Sequence, residues 1–454
     1  MEHPDDDLWT SIGAAARSAM AAFPGDTADI AGVGLCTIRF CRAVLKADGT
    51  LAQPVMSWMD DRVSRPYEHV VPDARWVTTS SGYIGHRLTG AFRDTAANYA
   101  GMWPLDSDTW QWSDDEEPWA KTGMRRDMLF DLVMPGDVLG NRDRRRVPAH
   151  RHPRRAAPRR HRQRQGRRGA GLRPARLRHP ARLPRHLRGR HDDRPRNLPD
   201  ATGFWTNYAS VPHSYLYESF GVRRGMWTVS WLRDLLGEEV AAGARAAGLS
   251  VEENLNTKAA EVPPGCDGLL TVLDWLAPTE APYRKGTVLG FDGRQGRYHM
   301  YRSILEGLAL TLHGTAGRMA DELGTSWTHT LLSGGGSSSD LMMQIFADVF
   351  GVPAHRAEVN NAAGLGAAMC AAVGTGAHTT FDDAREAMVR AGKVITPDPA
   401  HHALYTRLGK VYRRIQDHTD PIYRETWDIT GQRSSIPAPL SAPTSGPSGA
   451  SRSP

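Results

Sequence analysis

The sequence predicts an α/β chain with room for two domains, and three observations carry that expectation. The chain has 454 residues, 40% hydrophobic and 23% charged, enough for two buried cores rather than one small one. Residues 328–351, THTLLSGGGSSSDLMMQIFADVFG, read as a strand, a glycine turn and a helix in immediate succession, an arrangement at home in α/β folds. Apolar residues at helical spacing in WTVSWLRDLLG and HMYRSILEGLALTLHGTAGRMADEL predict two amphipathic helices.

Residues 8–23, LWTSIGAAARSAMAAF, also have helical spacing. They lead through PGDTADI into AGVGLCTIRFCRAVL, an apolar run punctuated by small residues that predicts a buried strand. KADGTL is a hairpin turn signal. After SWMDDR come a helical stretch with SSGYIGHRLTGAF and the tryptophan-rich MWPLDSDTWQWSDD. APTEAPYRKGTVLGFDGR reads as a long loop before a helix. The closing QRSSIPAPLSAPTSGPSGASRSP is rich in Pro, Ser and Gly and predicts disorder. No repeat of fixed period is present.

The net charge of +6 conceals an asymmetry. Residues 141–200 hold 22 Arg against four Asp, a net +18, so the remainder of the chain carries −12. Basicity therefore belongs to one block, which taken alone suggests nucleic acid or another polyanion as partner. The block has no interleaved aromatics of the kind a stacking-based single-strand binder uses. The cysteines Cys36, Cys41, Cys266 and Cys370 show neither CxxC spacing nor scaffold density, which predicts free thiols in a reducing compartment. The opening MEHPDDDLW is acidic where a secretory signal is basic, and no apolar run reaches the ~18 residues of a membrane span. The expectation is a cytoplasmic protein.

The glycine turn at 334–336 carries the clearest local chemistry. Three glycines let a backbone approach a ligand closely, and the helix that follows directs its N-terminal amides toward the same place, which suits a nucleotide. A plain connection between strand and helix explains the same residues.

In order along the chain, these pieces resemble the FGGY carbohydrate kinases of the xylulokinase type. GVGLCTIRFCRAVLKADGTLAQPVMSWMDDR resembles that family's first-domain block, with its W-x-D-x-R segment supplied by Trp58, Asp60 and Arg62. YIGHRLTGAFRDTAANYAGMW is similar to the tyrosine-to-LTG stretch and its following Asp, here Asp94. GMWTVSWLRDLLG resembles the entry helix of the second domain, GLLTVLDWLAPTEAPY with KGTVLGF and MYRSILEGLAL the loop and helix beside the nucleotide, and LLSGGGSSSDLMMQIFADVFGVPAHRAEVNNAAGLGAAMCAAVGTG the adenosine signature.

The resemblance implies a two-domain actin/hexokinase-like (ribonuclease H-like) ATPase fold, with the sugar cleft on the first domain and ATP mostly on the second. It implies transfer of the ATP γ-phosphoryl group to a sugar hydroxyl, with Mg²⁺ and a general-base Asp. Carried over by position, Arg39, Trp58, Asp60 and Arg62 would contact the sugar, Gly334, Gly335, Gly336 and Ser339 would line the adenosine, and Gly286 would lie near the phosphates. A carboxylate and a guanidinium offer directional partners to vicinal hydroxyls, and an indole offers a flat wall. The plain alternatives are a core aromatic for Trp58 and a surface ion pair for Arg39. Homodimers occur among such kinases, so a second copy is a partner the resemblance allows.

Two family elements are missing from the expected order. No D-x-G-T phosphate loop precedes Asp5, so the first domain is expected to be incomplete, and the place of the catalytic G-x-D segment is taken by the arginine block. With arginine read as CGN, a frame one nucleotide forward from Arg162 admits G-N-D-K-A-V-E-A-L-G through Gly171, with the Asp encoded across Arg164 and Gln165. The same frame admits S-L-G-T-Y over residues 183–187 and M-T-T over 191–193, again in family order. Residues from about 141 to about 195 are therefore read as a frameshifted translation, a solvated insertion and a polyanion-binding arm being the rivals. The expected organisation is a truncated sugar-binding domain over 1–140, the arginine-rich segment over 141–196, an ATP-binding domain over 197–431 and a tail over 432–454. The expected function is that of a carbohydrate kinase, impaired in this chain. The competing function is a non-catalytic protein whose basic segment binds nucleic acid or polyanions.

Overall fold

The computed structural model describes residues 2–141, 196–222, 224–278 and 281–431. Most of the arginine block, including the segment around Arg164 read as frameshifted, and the closing tail lie outside the described residues.

The chain opens with a short strand β1 (Glu2–His3) and helix α1 (Asp7–Ala22), followed by strands β2 (Arg42–Leu45), β3 (Val55–Met56) and β4 (Trp76–Thr79). These four strands form one sheet in the order β1-β3-β2-β4 with antiparallel pairing throughout. Alternation sorts β2 between two cores. Ala43 and Leu45 join Cys41, Tyr83, Ile84 and Phe130 on one side, while Val44 joins Met56, Val77, Tyr99, Trp103 and Met128 on the other. The KADGTL turn forms as expected, with Lys46 N donating to Thr50 O and Gly49 at φ +80°.

The long strand expected over residues 31–45 is not formed. Only its last four residues pair, because β2 finds neighbours in β3 and β4 whereas, among the described residues, no strand lies beside residues 31–38. That segment runs against a helix of the second lobe, so closely that a Cβ at Gly34 would fall 1.8 Å from the carbonyl oxygen of Ala367. The small residues of AGVG serve this approach.

Helix α2 (Ser80–Thr89) starts on Thr79, whose hydroxyl accepts from Gly82 N, and stops at Gly90 in the left-handed region. Strand β5 (Arg93–Thr95), helix α3 (Glu116–Thr122) and strand β6 (Asp131–Val133) complete the first lobe, β5 pairing parallel to β6. Strands β7 (Phe204–Tyr208) and β8 (Tyr215–Ser219) then form an antiparallel hairpin. Its Tyr208 and Tyr215 pack around fully buried Trp110 of the first lobe, while Glu322, more than a hundred residues further along the chain, accepts from Thr202 N and Gly203 N at its base. The hairpin, which the sequence boundary at 197 assigned to the second domain, thus bridges both.

Beyond it lie helices α4 (Gly225–Ala246) and α5 (Val251–Ala260), strands β9 (Leu270–Val272) and β10 (Thr287–Leu289), and helix α6 (Arg297–Glu322). Next come strand β11 (Thr330–Leu332), helix α7 (Asp340–Phe350), strand β12 (Ala354–Ala357), helices α8 (Ala362–Gly374) and α9 (Phe381–Met388), strand β13 (Ala391–Ile395) and helices α10 (Pro399–Tyr412) and α11 (Ile415–Thr430). β12 sits between parallel β11 and antiparallel β13. Two expectations change here. The loop read over 277–294 contains β10, which pairs with β9, and α6 is buried all round over residues 301–310 rather than amphipathic, because α4, α5, α7, α10 and β9 surround it.

Within that core Glu306 accepts from Arg302, from Tyr405 and from the backbone N of Gly265. Burial without such partners would be costly for both charges. All four cysteines are free, and among the described residues no helix is long and apolar enough to cross a membrane.

Candidate functional site

The glycine turn between β11 and α7 is an open, braced loop. Gly334 adopts φ +86°, a conformation that favours glycine, and a Cβ at Gly334 or Gly335 would meet nothing within 4 Å, so the backbone faces free space. Asn360 braces it from across the sheet: its carbonyl accepts from Gly334 N at 2.8 Å, and its side chain accepts from Ser337 Oγ and donates to Ser338 Oγ. Ser339 caps α7 by accepting from Met342 N at 3.1 Å and donates to Asn256 Oδ1 on α5 at 2.8 Å. Gly336 differs from its neighbours, since a Cβ there would lie 2.7 Å from Met342 Sδ. The first residue of α7, Asp340, carries its own negative charge. Lys393 and Arg356 hold its carboxyl below the usual range by hydrogen bonding.

Gly286 sits just before β10, and its lack of a side chain is taken up by packing. A Cβ there would lie 2.2 Å from the Trp275 ring, which itself stands 5.0 Å from the Trp231 ring.

In the first lobe the W-x-D-x-R segment folds on itself. Asp60 is buried (5% exposed) and caps a short 3-10 turn over Asp61–Ser64, accepting from Arg62 N, while Arg62 Nε and Nη2 bind its two carboxylate oxygens at 2.8 Å each. This two-pronged pair is geometrically strong, and the Arg62 guanidinium holds the Asp60 carboxyl well below the ordinary carboxylate range. Arg62 also reaches Glu2 at 2.6 Å. Trp58 packs against the core that contains Cys41, Tyr83 and Phe130. Arg42, 4% exposed, donates to the carbonyls of Arg62, Val63 and Arg65 and so fixes the same turn from below. Arg42, Arg62, Arg65, Met56 and Tyr67 line a cavity of about 310 Å³ beside it.

Arg39 points elsewhere. Its Nη2 lies 2.7 Å from Glu218 Oε2 on β8, both side chains about two-fifths exposed. It is therefore separate from the Asp60–Arg62 pair, and the structure gives it the ion pair that is the plain reading of an exposed arginine.

Beneath the sheet, Asp94 is almost wholly buried (1% exposed) and accepts from Ser81 Oγ at 2.7 Å, Thr79 Oγ1 at 2.8 Å, Thr95 N at 2.8 Å and Asn98 Nδ2 at 3.3 Å. Burial raises its pKa above the usual value despite these donors. Asn360, Asn256 and Arg42 are the bracing residues that sequence reasoning missed. Only Asn360 offered a signal, in its position just ahead of a small-residue helix. Among the described residues no group of three or more His, Cys, Asp and Glu side chains could hold a metal ion.

Comparison with known proteins agrees with this architecture. Residues 190–375 match the C-terminal domain of the FGGY family of carbohydrate kinases. The chain is 44% identical over 435 residues to the uncharacterized sugar kinase YgcE of Escherichia coli K12, covering 94% of this chain and 87% of that protein. It is 31% identical over 163 residues to a xylulose kinase of Bacillus subtilis, 35% of this chain and 32% of that one. Its fold resembles gluconate kinase from Lactobacillus acidophilus (TM-score 0.67, 17% identity, 94% and 91% covered) and ligand-bound xylulose kinase from the same organism (TM-score 0.67, 16% identity, 93% and 91% covered).

The fold is thus the two-domain actin/hexokinase-like one, and the family match and the sugar-kinase relative place the chain among kinases. The chain belongs to the FGGY family of carbohydrate kinases, a family of ATP-dependent sugar-phosphorylating enzymes.

Proposed function

We propose that this chain holds an adenine nucleotide at the 334–339 loop and a small sugar at the first lobe, and that phosphoryl transfer between them is slow in the chain as it stands. The observation that carries the nucleotide half is the open backbone at Gly334 and Gly335, braced by Asn360 and leading into a helix capped by Ser339. Because Asp340 already places negative charge on the first turn, a neutral adenosine suits this position better than a phosphate. Gly286, just ahead of β10, is assigned to the phosphate side by the family resemblance, with Mg²⁺ accompanying the nucleotide and neutralising charge on its phosphates.

On the sugar side Trp58, Asp60 and Arg62 form one unit and Arg39 a second. The two-pronged pair buries the Asp60 carboxylate and leaves the Arg62 guanidinium half-exposed, so Arg62 offers donors to sugar hydroxyls and Asp60 holds it in place. The substrate class is a pentulose or a related sugar, in keeping with the relatives named xylulose kinase. The domain reading stays at 1–140, 141–196, 197–431 and 432–454, with a cytoplasmic location.

Slow turnover follows from the sequence itself. Between Asp143 and Asp192 there is no Asp or Glu, so the stretch where the family resemblance sets the general base offers no carboxylate to take the hydroxyl proton. The test is ATP-dependent phosphorylation by the purified full chain across a set of pentuloses, alongside ATP binding by calorimetry. Nucleotide binding with turnover far below the roughly 1–100 s⁻¹ of ordinary kinases is expected. Turnover within that range would overturn the loss of the base, and absence of ATP binding would overturn the loop assignment.

A further inference from the structure

The hairpin of β7 and β8 carries polar groups that neither half of the site has absorbed. Its register sets Trp205 opposite Glu218 and Asn207 opposite Leu216, so these four side chains share one face. The other face, with Tyr208 and Tyr215, is occupied in packing around Trp110. On the outer face Asn207 is nonetheless buried (5% exposed), and its Nδ2 donates to Glu218 Oε2 at 2.6 Å. Arg39 Nη2 donates to the same oxygen at 2.7 Å. One carboxylate oxygen thus holds two donors, one from within the hairpin and one from a residue 179 positions away.

The backbone that presents Arg39 is itself unusual. The next residue, Phe40, sits at φ +63°, a left-handed conformation that is costly for an aromatic residue. Its ring lies against Gly101, which has no side chain to obstruct it, and the Arg39 guanidinium stands 5.6 Å from the ring centroid. An ion pair this exposed contributes little to stability. Stability alone therefore does not account for a strained turn and a buried amide converging on it. The half-exposed indole of Trp205 (56%) stands across the ladder from Glu218. A flat apolar ring beside fixed donors and acceptors is a surface suited to a polyhydroxylated ligand.

We propose that Glu218, anchored by Asn207, is the positioning residue that orients Arg39 for sugar recognition, which makes the hairpin a specificity-determining element of the sugar site. This inference rests on the reading of Arg39 as a sugar contact. It is tested by titrating D-xylulose and D-gluconate calorimetrically into the full wild-type chain and into Arg39→Ala, Glu218→Ala, Glu218→Gln and the double variant Arg39→Ala/Glu218→Ala. ATP is titrated into each as a separate readout.

Arg39→Ala and Glu218→Ala should each weaken binding of the sugar that binds wild type by about tenfold, and the double variant should be no weaker than either. Glu218→Gln, which keeps the accepting oxygen, should recover at least half of the lost affinity on a logarithmic scale. Multiplicative losses in the double variant, absence of recovery in Glu218→Gln, or an equal loss of ATP affinity in Glu218→Ala would overturn the positioning role. If wild type binds sugar and Glu218→Ala binds it equally well, the inference alone falls. If wild type binds neither sugar, the sugar-site reading falls and takes the inference with it.

Discussion

Replacing Asp94 by Ala should expose how much the first lobe depends on one buried carboxylate. The side chain gathers four donors beneath β4 and the start of α2: two hydroxyls, one backbone N–H and one amide. When the carboxylate is removed, one of the Ser81 and Thr79 hydroxyls, 2.7 Å apart, turns to donate to the other, whose own proton loses its acceptor, while Asn98 Nδ2 stays on Ser81 at 2.6 Å. The group without a remaining partner is Thr95 N–H, whose loss costs about 1–3 kcal/mol when buried. The emptied volume and the weakened hydroxyl bonds add a comparable amount, so a total near 3 kcal/mol is expected. Asp94→Asn keeps an oxygen for Thr95 N–H, and the two hydroxyls can rotate to accept from the new amide, so it should cost under about 1 kcal/mol.

The assay is urea unfolding of both variants, read by fluorescence and ellipticity. The native carboxyl of Asp94 has a raised pKa, so the native state binds its proton more tightly than the unfolded chain does. The stability of wild type relative to Asp94→Asn should accordingly fall as pH rises from the ordinary aspartate value near ~3.9 up to the raised native value. Equal costs for Ala and Asn, or an Ala cost under about 1 kcal/mol, would refute the bookkeeping of donors.

Three other outcomes are expected. Ser339→Ala should destabilise by about 1 kcal/mol through loss of the α7 cap, while Asn256 keeps its bond from Tyr301; thermal unfolding checks it, and ATP affinity should fall in the same variant. Asp60 has a depressed pKa, so its contribution is complete above the ordinary aspartate value near ~3.9 and disappears as pH falls through the lowered native value. Asp60→Asn should therefore show a stability deficit at neutral pH that shrinks on acidification, read from unfolding midpoints across pH. Gly286→Ala should cost about 1–3 kcal/mol by forcing the Trp275 ring aside, visible as a lowered midpoint and a change in tryptophan emission.

Much of the fold was legible because its signals are local. The turn over residues 46–50 with Gly49, the helical stretch that forms α2, and the strand, glycine turn and helix over residues 330–350 each depend on residues within a few positions of one another. The strand expected at 31–45 failed because pairing needs a neighbour, and apolar composition says nothing of where neighbours lie. The hairpin at 204–219 went unread as an element. Its meaning comes from Trp110 and Glu322, both about a hundred residues distant. Trp58, Asp60 and Arg62 were legible as a unit since they lie within five residues of one another, whereas the separation of Arg39 from them was not.

Read by itself, the sequence determined the α/β character, the strand, glycine turn and helix over residues 330–350 and the gathering of basic charge in one block, because residue types and their spacing carry that information directly; the FGGY family came from the resemblance of its ordered motifs, and the matches to known proteins show it. The tertiary structure decided which partner each charged group takes: Asp60 with Arg62, Arg39 with Glu218, Asp94 with four donors, Glu306 with Arg302 and Tyr405. Electrostatic and hydrogen-bond energies fall off over a few ångströms, and apart from the Asp60–Arg62 turn only the folded chain sets distances on that scale.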